Sequence, residues 1–249
     1  MRVAVLSDIH ANLRALDAIL ERTGPVDAIW HLGDVVGYGP DPDAVVARLR
    51  ERGALGVRGN HDLAAAGSDV IQEFNQDARA AMEWTRRVIR PETRDWLAGL
   101  PERLTIGAFS LVHGSQRDPT WEYIVAAPVA AANLAICPTD WGLFGHTHLP
   151  WAWLARGPAE GNPAERGRVE AREPAAGDTI QLAGRRALLN PGSVGQPRDG
   201  NPEASALVLD TERTEAAWVR ARYDIGATQQ AMRAVGLPAR GIARIAQGF

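Results

Sequence analysis

Five short polar clusters carry the residue types that bind divalent cations. They are Asp8-Ile9-His10, Gly33-Asp34, Gly59-Asn60-His61-Asp62, His113-Gly114 and Gly145-His146-Thr147-His148. Carboxylate and amide oxygens are hard ligands, and imidazole suits borderline ions while titrating near neutrality. Five of the six histidines fall in these clusters, and His31 alone lies on a strand-like run, Ala28-Ile29-Trp30. Each cluster by itself reads equally well as a turn rich in Gly, Asn and Asp. Their shared position at the ends of strand-like runs sets the group apart from scattered turns.

Spacing adds direction. Asp8 and His10 are two apart on an extended segment, so both side chains face one side. His146 and His148 repeat that spacing. Together with Asp34, Asn60 and His113 they supply two carboxylates, one amide oxygen and four imidazoles. This is the inventory for two borderline divalent cations, with Asp34 placed to bridge them. Cys137 is the single cysteine, which excludes a thiolate cluster and an internal disulfide framework. A reducing, cytoplasmic setting follows as the expectation.

The elements that must position these groups alternate. Val3-Ala4-Val5-Leu6 reads as a central strand, followed by a helix capped by Asn12 and stopped at Pro25. Ala28–Leu32 and Ala54–Val57 read as the second and third strands, with a helix to Arg52 between them. This pattern predicts βαβ units and a mainly parallel sheet. Ligand groups of such sheets gather beyond the carboxyl ends of strands, where the clusters lie. Residues 64–101 form a helical elaboration on the substrate side, with Phe74, Ala78, Ala81, Met82, Trp84, Thr85 and Val88 on its apolar face. Strands at 104–106 and 109–112 deliver His113, a short helix spans 129–135, and Trp141–Phe144 delivers His146. Residues 157–178, rich in Gly, Pro, Glu and Arg, predict a flexible hairpin loop between strands at 151–155 and 179–182. Strands at 186–189, 205–209 and 215–220 are expected in a second, mixed sheet, and two short helices close the chain.

The 249 residues allow one domain, 1–249, with these elaborations. Hydrophobic content of 45% and charged content of 23% describe a globular protein with a core. No apolar run approaches the ~18 residues of a membrane helix, and Met1 leads straight into a strand, which leaves no room for a signal peptide. The net charge of −3 and the lack of a basic stripe disfavour nucleic acid as a partner. All 27 basic residues are Arg, which excludes a Lys nucleophile, Schiff base or phosphate-loop lysine.

In order and spacing, the motifs Asp8-Ile9-His10, Gly33-Asp34, Gly59-Asn60-His61-Asp62, His113 and Gly145-His146-Thr147-His148 resemble the calcineurin-like metallophosphoesterases. The resemblance implies a four-layer α/β/β/α sandwich of two mixed sheets flanked by helices. It implies one metal held by Asp8, His10, Asp34 and His148, and another held by Asp34, Asn60, His113 and His146. Asn190-Pro191-Gly192-Ser193-Val194-Gly195 further resembles small bacterial and archaeal phosphodiesterase-like members. Gly33-Asp34-Val35-Val36-Gly37-Tyr38-Gly39 departs from the protein phosphatases, which carry a further Asp and Arg there. A protein phosphatase is thereby disfavoured, and nothing in the sequence names the partner of His61.

The expected activity is metal-dependent hydrolysis of phosphate esters, most simply of a phosphodiester or nucleotide-type small molecule. Two cations about 3.5–4 Å apart share and acidify a water for in-line attack at phosphorus. Manganese, iron or zinc fit such ligands, with manganese favoured for activity. His61, beside the ligand Asn60, is the candidate for protonating the leaving group. Arg198 and Arg117 are candidates for binding phosphate oxygens. Tyr38, Trp121 and Tyr123 can stack a base or anchor a loop. Alternatives within the class are a dinucleoside polyphosphate hydrolase and a phosphomonoesterase. A protein-binding scaffold on the same fold is the rival outside it; loss of ligands or of the acid histidine would mark one, and here the set is complete. The sequence does not fix an oligomeric state.

Overall fold

The computed structural model describes residues 1–155 and 169–249. The first part of the chain runs β1 (Arg2–Leu6), α1 (Leu13–Thr23), β2 (Ala28–His31), α2 (Pro42–Glu51), β3 (Leu55–Gly56) and α3 (Asn60–Ala65). It continues through α4 (Gln76–Val88), α5 (Pro91–Ala98), β4 (Arg103–Ile106), β5 (Phe109–Val112), α6 (Ala127–Ile136) and β6 (Trp141–Leu143). Then follow β7 (Pro150–Ala155), β8 (Val169–Arg172), β9 (Thr179–Gln181), β10 (Ala187–Pro191), β11 (Ala204–Asp210) and β12 (Glu215–Ala221). Helices α7 (Ile225–Ala234) and α8 (Ala239–Gln247) close it.

Two six-stranded mixed sheets result, in the orders β3-β2-β1-β11-β12-β9 and β4-β5-β6-β10-β7-β8. Strands β1, β2 and β3 are mutually parallel, as are β5, β6 and β10. The two-residue alternation of strands sorts side chains into layers. From β1, Val3 and Val5 face the layer between the sheets with Trp30, Leu111, Leu189, Leu207 and Trp218. Ala4 and Leu6 face the other way, against Leu16 and Ile19 of α1 and Val45 of α2. On the second sheet, Leu188 and Trp153 turn outward to Ala130 and Leu134 of α6. Helices, sheet, sheet and helix therefore form the four-layer sandwich. Trp218 is 1% exposed, and its Nε1–H donates to Asn190 O at 2.9 Å, which pins the sheets together beneath the site. Burying one such large side chain stabilises by ~1.5–3 kcal/mol, so Leu207→Ala is a costly cut.

Local signals place the helix starts. Asn12 Oδ1 accepts from Ala15 N–H at 3.2 Å at the start of α1, and Asn75 Oδ1 from Ala78 N–H at 3.0 Å at the start of α4. Helices α3, α4 and α5 occupy the stretch expected to be helical. Val88, assigned to its apolar face, is instead 42% exposed; the helix ends there and Ile89 fills the core.

Three expectations need correction. Strands β11 and β12 join the first sheet through antiparallel pairing with β1 and do not build the second. Their apolar patterns fit either sheet, and the partner is set by register over the whole fold. Residues 151–155 and 179–182 do not form a hairpin: β7 pairs with β8 and β10, while β9 pairs with β12 in the other sheet. Residues 169–172, placed in a loop by composition, are an edge strand, where charged side chains such as the paired Glu170 and Arg172 are usual. The remainder of the expected loop up to residue 168 lies outside the described residues. No described helix is long and apolar enough to cross a membrane.

Candidate metal centre

Each cluster leaves a strand at its carboxyl end. Strand β1 delivers Asp8 and His10, β2 Asp34, β3 Asn60, β5 His113, and β6 His146 and His148. At the ends of β1, β2 and β6 the chain reverses in the left-handed region to turn these side chains inward. Asp8, His10, Asp34, His146 and His148 have φ of 52°, 48°, 51°, 65° and 61°. Such conformations cost ~1–3 kcal/mol each in non-glycine residues and persist where the surroundings over-determine them. Here Asp8 N–H donates to Gly33 O at 3.1 Å and His10 N–H to Asp34 O at 2.9 Å. His146 N–H donates to Asp8 Oδ2 at 3.0 Å and Gly195 N–H to Asp8 O at 3.0 Å. The loops interlock. At Gly59 a Cβ would stand 2.1 Å from Asp34 Oδ1, so only glycine admits the third loop.

All seven expected ligands are buried and converge. Ligand atoms of Asp8, His10, Asp34 and His148 lie within 4.8 Å of one another, as do those of Asp34, His113 and His146. Asn60 Oδ1 completes the second group, 3.2 Å from His113 Nε2. Asp34 belongs to both groups. Its Oδ1 accepts from His61 N–H at 2.9 Å, leaving Oδ2 at 3.7 Å from His10 Nε2 and 3.5 Å from His113 Nε2.

The donor set fits cations. Nδ1 of His10, His113 and His148 faces the carbonyl oxygens of Val36, Leu32 and Gln196 at 3.2, 2.8 and 2.6 Å. A carbonyl only accepts, so each Nδ1 carries the proton and each Nε2 points a lone pair into the site. Those lone pairs meet other acceptors. His10 Nε2 stands 3.2 Å from His148 Nε2, and His113 Nε2 stands 3.2 Å from Asn60 Oδ1. Asp8 Oδ1 is buried without a donor although His148 Nε2 is 3.2 Å away. Protonating the rings is opposed by burial, which holds His10, His61, His146 and His148 below the usual histidine range, with neighbouring positive charge adding to it. Burial, with the charge of Asp8, likewise raises Asp34 well above the carboxylate range. A divalent ion at each group would accept these lone pairs and offset the carboxylate charge at the same time.

His61 lies beside this cluster, 4% exposed, with no hydrogen-bond partner at Nδ1. Its ring packs between Tyr38 and Phe74, centroids 4.6 Å from each, and 4.9 Å from His10. The neighbouring carboxylate does not orient it. Asp62 accepts from the N–H groups of Val35, Val36 and Gly59 at 2.9, 3.2 and 3.0 Å. Burial, with the charge of Asp34, pushes that carboxyl up to about 7. Aromatic packing therefore sets the His61 ring, a feature that no local motif announces.

A cavity of about 150 Å³ opens over the cluster, lined among others by His61, Phe74, Asn75, Trp121, Tyr123 and Arg198. Tyr123 stacks on His146 at 4.1 Å and 12°, and Trp121 stands edge-on to Phe74 at 5.9 Å. Arg198 reaches the cavity, with its Nη2 donating to Gln196 Oε1 at 3.2 Å. Arg117 is not brought to it: its guanidinium is held at the surface by Glu122, whose carboxyl that hydrogen bond lowers to about 2. Sequence reading missed the wall formed by Phe74 and Asn75, because Phe74 has the spacing of a core residue. It also left the work of the 190–196 loop open. Asn190 Nδ2 donates to Gly145 O at 2.9 Å, Ser193 Oγ to Asp8 O at 2.8 Å, and Gln196 O holds His148.

Comparison with known proteins agrees with this geometry. The calcineurin-like phosphoesterase superfamily domain matches residues 1–214. The crystal structure of a metallophosphoesterase from Sphaerobacter thermophilus superposes with a TM-score of 0.88 at 38% identity, covering 100% of this chain and 99% of that one. An uncharacterized protein of Methanocaldococcus jannaschii is 34% identical over 90% of this chain and 88% of its own length. Phosphodiesterase YfcE of Escherichia coli is 29% identical over 85% of this chain and 89% of its own.

Proposed function

The chain belongs to the calcineurin-like phosphoesterase superfamily and is a phosphoester hydrolase, and we propose that its substrates are small phosphodiesters or nucleotides. In this reading Asp8, His10, Asp34 and His148 hold one divalent ion, and Asp34, Asn60, His113 and His146 hold the other. The observation that carries it is the meeting of the His10 and His113 lone pairs around Asp34 Oδ2, with the His148 lone pair beside Asp8 Oδ1. Once bound, the ions supply Lewis-acid charge and acidify the attacking water. Manganese is the proposed ion for activity among manganese, iron and zinc. The cytoplasm is the proposed compartment, on the strength of a lone, buried Cys137.

The chain's own groups do the rest. Arg198 binds a non-bridging phosphate oxygen and turns the phosphorus toward the buried cluster. Water, giving up one proton to solvent, adds to phosphorus from one side, the P–O bond to the leaving group breaks on the other, and protonated His61 gives its proton to the departing oxygen. Burial holds His61 below the usual histidine range, and the negative charge of an arriving substrate favours the protonated ring. Tyr38 and Phe74 fix its ring throughout. Diesters are favoured over small monoesters because Trp121 and Tyr123 offer faces for a second substituent, and the similarity to a phosphodiesterase supports the same choice. The experiment is a comparison of kcat/KM for bis-p-nitrophenyl phosphate and p-nitrophenyl phosphate with each of the three metals, in wild type and Arg198→Ala. A preference for the diester that Arg198→Ala weakens is expected. A monoester preference indifferent to Arg198 overturns the substrate class.

A further inference from the structure

A second cavity, of about 470 Å³, opens between α4 and the α7–α8 pair. Tyr38 and Asn75 border both this cavity and the one over the metal cluster. In the shared wall the Tyr38 backbone is left-handed at φ 57° and its ring packs on His10 and His61 at 4.8 and 4.6 Å. The far wall comes from Met232, Pro238, Arg240 and Arg244, beyond residue 214, where the family match ends. Met232, Leu237, Ile242 and Ile245 pack together with Ala81 of α4, which fixes α8 in place.

Charge in this cavity is unbalanced. Arg240 reaches Asp77 at 3.9 Å. Among the described residues neither Arg244 nor Arg198 has a carboxylate within 4.0 Å; Arg244 lines this cavity with Tyr38, and Arg198 lines the one over the metal cluster on the other side of Tyr38. Burial, with the charge of Arg198, holds Arg244 below its usual value. Arg198 disfavours the charge on Arg244 and Asp77 offsets part of that effect, so an anion placed between the two guanidiniums would be stabilised. Size points the same way. The 150 Å³ over the metal cluster lies below the ~300–1,000 Å³ of ordinary ligand pockets, whereas 470 Å³ lies within that range.

We propose that the cavity between α4 and α8 is a substrate subsite, in which Arg244, with Arg240 at the rim, binds a second phosphate group of the substrate. The inference rests on the phosphoester hydrolysis proposed above and narrows its substrates to those with more than one phosphate, such as nucleoside polyphosphates or dinucleotides. Arg198 then serves the scissile phosphate and Arg244 the distal one, with Tyr38 between them.

Two measurements test it. The first is the ratio of kcat/KM for diadenosine tetraphosphate to that for bis-p-nitrophenyl phosphate, in wild type, Arg244→Ala and Arg244→Lys. Loss of one charge-assisted phosphate contact should lower the ratio about tenfold in Arg244→Ala, through KM, with partial recovery in Arg244→Lys. The second is calorimetric binding of inorganic tripolyphosphate to the metal-free full chain, expected to weaken about tenfold in Arg244→Ala and less in Arg240→Ala. Circular dichroism confirms that each variant is folded. Wild type inactive on both esters overturns the hydrolytic reading, and calorimetry still decides the subsite. Equal tripolyphosphate affinity in wild type and Arg244→Ala overturns the subsite whatever the kinetics show.

Discussion

The Nε2 atoms of His10 and His148 face each other at 3.2 Å, while Nδ1 of each ring is turned to a backbone carbonyl. Two neutral imidazoles gain nothing from that meeting unless a cation sits beside it. The carbonyls that fix the tautomers belong to Val36 and Gln196, on loops that the sequence separates by 160 positions. The pair is thus prepared for metal by the fold rather than by its own cluster.

Removing Asp34 and removing His10 should differ. Asp34 Oδ2 lies near His10 of one group and His113 of the other, so Asp34→Ala should bring both ions below half occupancy. His10→Ala should leave about one ion per chain. Metal analysis after dialysis reads this directly, and equal losses in the two variants would count against a bridging Asp34.

His61→Ala should retain both ions and the fold while losing turnover. General-acid catalysis contributes ~10²–10⁴-fold, and that loss should appear in full with alkoxide leaving groups. Esters of p-nitrophenol, whose leaving group needs little protonation, should lose much less. A variant that loses metal instead would make His61 a ligand.

Gly37→Ala should imitate part of that loss without touching a ligand. Gly37 has φ 92°, and an added Cβ would stand 2.3 Å from His61 Nδ1. Displacing the ring from between Tyr38 and Phe74 by about 1 Å should lower kcat on the order of 10²-fold. Metal content should stay at the wild-type level. Unchanged kcat toward poor leaving groups would show that His61 tolerates displacement.

His31 should make the fold acid-sensitive independently of the metal centre. Its ring is fully buried against Trp96 with neither nitrogen paired, and burial lowers its pKa from 6.5 to about 4. Between those values the unfolded chain binds a proton that the folded chain refuses, so stability is intact above 6.5 and falls as pH drops toward 4. The loss is about 3 kcal/mol at ~1.4 kcal/mol per unit. Urea unfolding in the presence of a chelator, for wild type and His31→Leu, isolates the effect, because the other imidazoles cancel in the difference. A stability difference that does not change with pH would mean that His31 is protonated or hydrated in the fold.

Much of the site could be read from the chain alone, and the reason is local. Ligands that close parallel strands must lie within a few residues of the strand end, so Asp8, His10, Asp34, Asn60, His113, His146 and His148 stand out by type, spacing and position. Strand alternation likewise places Val3 and Val5 opposite Ala4 and Leu6, and Asn12 marks the start of α1.

What tertiary structure decided is what depends on partners distant in sequence. Strands β11 and β12 could have joined either sheet by pattern, and their pairing with β1 settles the matter through register. An edge strand needs little apolar content, so β8 was hidden in a charged stretch. Arg117 and Arg198 were equal as sequence, but Glu122 draws one to the surface while the other lines the cavity. Arg244 had no motif around it; the packing of α8 on α4 and α7 is what carries it to the edge of the site. Aromatic packing orients His61, and Tyr38 and Phe74 come to it from segments 36 positions apart. Chemistry close to a strand end is written locally, whereas the orientation and partners of a side chain depend on long-range packing that no short stretch encodes.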